Sequence, residues 1–344
     1  MKTINNKGKK MNKFTKVGIT ALAGSLASFV AANAVEMSAA GTAKLSYING
    51  HSSEVTGNPF GMNTSISFTG SGEVNGYTTS LLVTNSDSNA GLSSASLSID
   101  LGDMGKVTFD QAVGAGGIST IDDKAPTANE EAWDGLDAVT NAGNALVGGG
   151  NSGVIVFANT YSDMNLSVQV SKGASAVNSD DATSGEGTSG SSWDFALTNQ
   201  TLAEGLDVGF GYGRIANSND AKANNSSDYN EHSVVYANYS MGMVTAGYTM
   251  SNVQDGTNGG QHEQGTGFGV AVNVNDSLSV SYGEREVEFI NASAANTTED
   301  MTGIAIAYTM GSAKITLQNN ETTNNGGTVG TSDETTEIAL ALSF

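Results

Sequence analysis

Cysteine is absent from all 344 residues. Disulfides therefore contribute nothing to stability, cysteine-type metal sites are excluded, and a sizeable hydrogen-bonded architecture must hold the fold. Proline occurs only at Pro59 and Pro126, both in stretches that read as loops, so every strand keeps its ladder of hydrogen bonds. Basic residues are scarce, with 14 Lys and Arg against 35 Asp and Glu. Such acidity argues against nucleic acid and against adhesion to anionic lipid, and favours a solvated surface exposed to cations. Beyond Val30 no apolar run is long enough for a spanning helix. Residence in a membrane would have to come from strands.

The first segment has its own composition. Lys2, Lys7, Lys9, Lys10, Lys13 and Lys16 precede an uncharged stretch from Val17 to Val30, followed by Ala32-Asn33-Ala34. A basic region, an apolar region and an A-x-A site predict an export signal over residues 1–34, cleaved after Ala34, with Met11 an alternative start. An uncleaved anchor is disfavoured because the apolar run is shorter than the roughly 17 to 25 residues of a spanning helix. Removing the signal leaves 8 basic and 35 acidic residues, a net charge of −27.

The rest of the chain alternates. In Glu334–Phe344, Ile338, Leu340, Leu342 and Phe344 share one face while Glu337, Ala339, Ala341 and Ser343 share the other. A period of two marks a strand whose faces meet different solvents. Residues 35–344 divide into about sixteen such segments, joined by short and long connections in turn. The short ones are read at Gly70–Gly72, Gly102–Gly105, Ser162–Asn165, Ala203–Gly205, Met241–Met243, Asn275–Ser277 and Gly311–Ala313. The long ones are read at 49–59, 85–91, 111–152, 173–191, 215–230, 251–264, 287–300 and 320–333. Short turns at one rim and long loops at the other predict a transmembrane antiparallel β-barrel, all-β, with the long loops facing out of the cell.

One phase of this alternation is apolar and free of charge, as in Leu45 and Tyr47, Met62, Ile66 and Phe68, Leu97 and Ile99, Phe195 and Leu197, Phe268, Val270 and Val272, and Ile304 and Ile306. The opposite phase carries Lys44, Ser96, Ser98, Lys106, Thr108, Asp194, Ser281, Arg285, Lys314 and Gln318. Eight strands would fill their interior with side chains, whereas sixteen leave a channel, so the polar phase predicts a water-filled lumen. The phase stays ambiguous at 153–161 and 231–240, where Val154 and Val156, or Val234 and Tyr236, compete with the other face. Tyr47, Phe60, Tyr212 and Tyr248 near the long-loop rim and Phe68, Tyr161, Tyr239 and Phe344 near the other read as two aromatic girdles.

With these features the chain resembles the Gram-negative general diffusion porins, in particular the alphaproteobacterial, Rhodobacter-like ones. The local marks are Leu101-Gly102-Asp103-Met104-Gly105-Lys106-Val107, similar to the family's turn between the fourth and fifth strands, and the final Phe344. The resemblance implies passive diffusion of small hydrophilic solutes and ions, a homotrimer among outer-membrane lipids, and no enzymatic activity. It also implies that Phe344 is an assembly signal for the barrel insertion machinery, and that the third long loop folds inward to narrow the pore.

That third connection, 111–152, is the longest. It holds Asp122, Asp123, Glu130, Glu131, Asp134 and Asp137 against the single base Lys124, so folding it inward would line the constriction with negative charge. The alternative is a solvated acidic loop outside. Lys44, Lys106, Arg285 and Lys314 are the bases that parity places inside. In the porins such bases face the acidic loop across the constriction, but this chain lacks the usual arginine-rich cluster. The expected selectivity is a weak preference for cations.

Other chemistries find little support. His51, His232 and His262 fall on three connections, which disfavours a hydrolase or zinc site. Gly209, Gly211 and Gly213 alternate with Val208, Phe210 and Tyr212 on a strand, the wrong context for a nucleotide loop. No cofactor is expected. Asp180-Asp181 or Asp122-Asp123 offer oxygen ligands for calcium, yet neither matches a recognised calcium loop. Two alternatives remain: a secreted or surface-layer acidic β-protein, either adhesin or coat, and a substrate-specific channel. The first should show a solenoid repeat, and none is found.

Overall fold

The computed structural model describes residues 36–50, 58–86, 93–114, 116–122, 124–136, 152–171, 191–216, 229–256, 260–290 and 295–344. The proposed export signal, Met11, His51, Asp123, Asp137, Asp180 and Asp181 lie outside them. Among the described residues sixteen strands close into one barrel. They are β1 (Glu36–Gly50), β2 (Phe60–Val74), β3 (Tyr77–Ser86), β4 (Ser94–Asp100), β5 (Lys106–Gln111), β6 (Ser152–Tyr161), β7 (Met164–Ser171) and β8 (Ser192–Asn199). The second half comprises β9 (Leu206–Ala216), β10 (Tyr229–Met241), β11 (Val244–Gln254), β12 (His262–Asn273), β13 (Leu278–Ile290), β14 (Thr297–Met310), β15 (Ala313–Thr323) and β16 (Ser332–Ser343).

Each strand pairs antiparallel with its sequence neighbours, and β1 also pairs with β16 from Thr42↔Ser343 to Gly50↔Thr335. Closure removes both sheet edges, the condition for putting backbone amides into hydrocarbon. The last rung is doubled, since Phe344 N donates to Gly41 O at 2.9 Å and Gly41 N to Phe344 O at 2.7 Å. The apolar phase faces out, with Leu45, Met62, Ile66, Leu97, Phe210, Phe268 and Ile304 all exposed on the barrel's outer wall. The two ambiguous segments resolve the same way: Ile155 and Val235 point out, while Val154, Val156, Val234 and Tyr236 point in and are buried.

Three sequence-based placements are corrected. The β2–β3 turn is Asn75-Gly76, both with positive φ (54° and 86°), a pairing suited to the tightest hairpins. Gly70–Gly72 instead lies inside β2, where Gly70 and Gly72 take outward positions. Lacking side chains, these glycines break the apolar alternation and imitate a turn. The segments 287–300, 251–264 and 320–333 are less loop than expected, because β13 continues to Ile290, β14 starts at Thr297, β11 reaches Gln254 and β15 reaches Thr323. For the same reason His232 and His262 sit on strands β10 and β12 rather than on connections.

The Leu-Gly-x-x-Gly turn is a single 3-10 turn, Gly102–Met104, between β4 and β5. Gly105 N donates to Gly102 O at 2.9 Å, and φ of 65° at Gly102 and 100° at Gly105 requires glycine at both positions.

Candidate functional site: a loop laid along the inner wall

After β5 the chain turns into the barrel. Residues 116–136 follow the inner wall from β6 round to β16, and each stretch of wall supplies a seat for them. Ile118 and Ile121, 0% and 1% exposed, pack with Ala196, Val234 and Tyr236. Gly211 makes the room, since a Cβ there would lie 2.7 Å from Ile118 Cγ1 and 2.9 Å from Ile121 Cδ1. Main-chain donors are met as well: Gly117 N donates to Ser167 Oγ and Ile118 N to the buried Asp194 carboxylate, at 2.8 and 2.7 Å. Buried polar groups need such partners, so the wall residues and the loop are mutually specified.

The next seats are on β10 to β16. Asn238 Nδ2 donates to Lys124 O at 2.8 Å, and Pro126 covers Gly247 and Gly269. Ala128 N donates to Ser281 Oγ at 2.8 Å, and Gln318 Nε2 donates to Glu131 O at 2.9 Å. Ala132 lies over Gly283 and Gly303, while Asn320 Nδ2 donates to Glu131 O and to Asp134 O at 3.1 and 2.7 Å. A second apolar cluster joins Trp133, Leu136, Ala125 and Ala132 of the loop to Val287, Phe289 and Met301 of the wall.

Here lies the reason for the ambiguous strand phases. Alternation reports a lipid face and a water face, but where the loop covers the lumen wall the inner neighbour is protein, and inward positions turn apolar. The inward glycines of β9, β11, β12, β13 and β14 belong to the same pattern: those named above mark where the loop touches backbone.

The acidic residues distribute unevenly. Glu130 and Asp134 are exposed on the loop, Asp122 and Glu131 are half-buried, and Asp123 and Asp137 fall outside the described residues. Asp134 shares a cavity of about 320 Å³ with Glu337 of β16. The four inward bases differ in their freedom. Lys44 Nζ sits 2.7 Å from Glu337 Oε1. Lys314 Nζ donates to Asn129 Oδ1 at 3.2 Å. Arg285 is only 4% exposed, with its guanidinium 4.7 Å from the Trp133 ring centroid and Nη2 donating to Ser251 Oγ at 3.1 Å. It supports the loop from beneath and is shielded from the lumen. Lys106 is exposed on β5.

Sequence reasoning had no means of assigning the seats Asp194, Asn238, Gln318 and Asn320, because parity identifies an inward residue without saying what covers it. Among the described residues no group of three His, Cys, Asp or Glu is arranged to hold a metal ion.

Comparison with known proteins agrees with this architecture. The chain is similar in structure to OmpT, an outer-membrane protein of Vibrio cholerae, at 12% identity with a TM-score of 0.66, covering 92% of this chain and 99% of that one. It is similar also to an anion-selective porin from Comamonas acidovorans, at 9% identity and TM-score 0.62, covering 90% and 100%. A mutant of the Rh. blastica porin matches at 13% identity and TM-score 0.58, covering 90% and 100%. At such identities these likenesses establish the fold alone. A comparison with the curated proteins finds no match. The family model for Gram-negative porins matches residues 18–343, nearly the whole chain, and with the closed sixteen-stranded barrel this makes the chain a member of the Gram-negative porin family, a diffusion channel of the outer membrane and not an enzyme.

Proposed function

We propose that the channel is a general diffusion pore for small hydrophilic solutes with a weak preference for cations. The observation that carries this reading is the imbalance of available charge inside the barrel. Glu130 and Asp134 expose carboxylates from the inward loop, while Lys44 is paired with Glu337 and Arg285 is covered by Trp133. Clustered carboxylates near the permeating ion raise the local cation concentration. Screening over a Debye length of about 8 Å at physiological salt keeps the effect modest and makes it weaken as salt rises.

The test is the reversal potential of the reconstituted channel in a salt gradient. Converting Asp122, Asp123, Glu130, Glu131, Asp134 and Asp137 to their amides should move it toward zero or toward anions. An unchanged potential in a correctly folded variant overturns the assignment. We extend the reading to a homotrimer, supported by the trimer form recorded for OmpT of Vibrio cholerae, for which cross-linking in outer membranes is the test. Export with cleavage after Ala34 belongs to the same proposal, and amino-terminal sequencing of the mature protein tests it.

A further inference from the structure

We infer that the cavity between the inward loop and the short-turn rim is a subsite for a small hydroxylated acid, of the class of sugar acids. The inference rests on the channel reading and adds a solute class to it. The cavity measures about 520 Å³, within the roughly 300–1,000 Å³ of small-molecule sites, and is bounded by Thr120 and Lys124 of the loop and by the wall from β4 to β10.

Its charges are specific. Lys106, exposed on β5, makes no ion pair among the described residues. The ammonium of Lys124 lies 5.9 Å from the Tyr236 ring centroid, and its backbone is held by Asn238. Both lysines line the cavity, so a carboxylate entering it meets two ammonium groups that lack an anionic partner among the described residues. A charge-assisted hydrogen bond to such a group is among the stronger polar contacts available in a wet site.

A bare anion is the wrong occupant, because Asp100 and Asp207 share the lining. Asp100 Oδ1 accepts from Gly102 N at 2.8 Å and Asp207 Oδ1 from Tyr236 Oη at 2.9 Å. Each carboxylate keeps its second oxygen as an acceptor, and ionised carboxylates accept hydroxyl hydrogens well. Thr160, Ser167 and Thr198 add hydroxyls that both donate and accept. Two bases for one acid group, two carboxylates and several hydroxyls for a polyol, and the exposed face of a tyrosine describe a hydroxylated monocarboxylate better than they describe chloride, a neutral sugar or an amine.

Sodium gluconate is the probe, added to the reconstituted wild-type channel in planar bilayers over a constant potassium chloride background. Gluconate should reduce the current along a saturating curve, and glucose at equal concentration should not. The double variant Lys106→Gln/Lys124→Gln should raise the half-blocking concentration by about tenfold, as expected for losing one charge-assisted contact, and each single variant by less. Arg214→Gln, an outward base paired with Glu231 at 3.0 Å, should leave the curve unchanged. A non-saturating response, equal block by glucose, or the same half-blocking concentration in the lysine variants overturns the subsite while the channel reading stands. Absence of any ionic conductance in the wild-type protein would overturn both.

Discussion

Freeing the first part of the loop from the wall should convert a quiet pore into a noisy one. The seat of residues 116–122 rests on two contacts that can be removed without touching the barrel's hydrogen-bond ladder. Ile118 is fully buried against Ala196, Val234 and Tyr236, and truncating a buried isoleucine costs ~2 to 5 kcal/mol. The lower end applies, since the loop's other face meets water and the site relaxes readily. Asp194, 1% exposed, accepts the Ile118 amide at 2.7 Å, and a hydrogen bond to a charged group contributes ~1.5 to 3 kcal/mol. The double variant Ile118→Ala/Asp194→Ala should therefore lose about 4 kcal/mol of docking, roughly a thousandfold in the docked-to-released ratio. The downstream seats at Asn238, Ser281, Gln318 and Asn320 remain, so only the first segment moves. Single-channel recording should show raised open-channel noise and stepwise sub-conductances absent from the wild type. Heat-modifiable gel migration checks that the barrel has folded. A folded double variant with the wild type's steady conductance would refute the idea that these contacts hold the loop.

Three further outcomes are expected. Deleting Phe344 removes both hydrogen bonds of the last β1–β16 rung, and should lower the amount of heat-modifiable protein recovered from outer membranes; full recovery counts against a role in assembly. An arginine at Leu97 or Val270 on the lipid face should cost ~2 to 4 kcal/mol at the midplane and impair insertion, whereas Ser65→Arg or Ser96→Arg on the open inner wall should be tolerated, as pulse-labelled outer-membrane fractions would show. Ser281 and Ala305 share that inner phase, but both are buried, and Ser281 accepts from Ala128 N of the loop, so charge there should be resisted too. Trp133→Ala should uncover Arg285 and shift the reversal potential toward anions, in the same direction as neutralising the acidic loop; no shift would mean that Arg285 stays shielded by other groups.

Much of the barrel is legible locally, because a wall between lipid and water imposes a period of two on every strand that spans it. The number of strands, the outward phase of residues such as Leu97, Phe210 and Ile304, and the acidity and length of the third connection all follow from neighbours in sequence. What escapes that reading is decided by contacts between distant segments. Gly70 and Gly72 look like a turn because an outward glycine carries no apolar mark, and only the pairing of β2 with β3 shows the strand continuing to Asn75-Gly76. Val234 and Tyr236 look out of phase because the loop covers them and their inner solvent is protein. Arg285 and Lys106 are both inward bases by parity, yet Trp133 stacks over Arg285 while Lys106 faces an open cavity. Strand phase tells which side of the wall a residue takes. Which inward residues meet water depends on where residues 116–136 come to rest, and this is set by Asp194, Asn238, Gln318 and Asn320, between 58 and 204 positions farther along the chain.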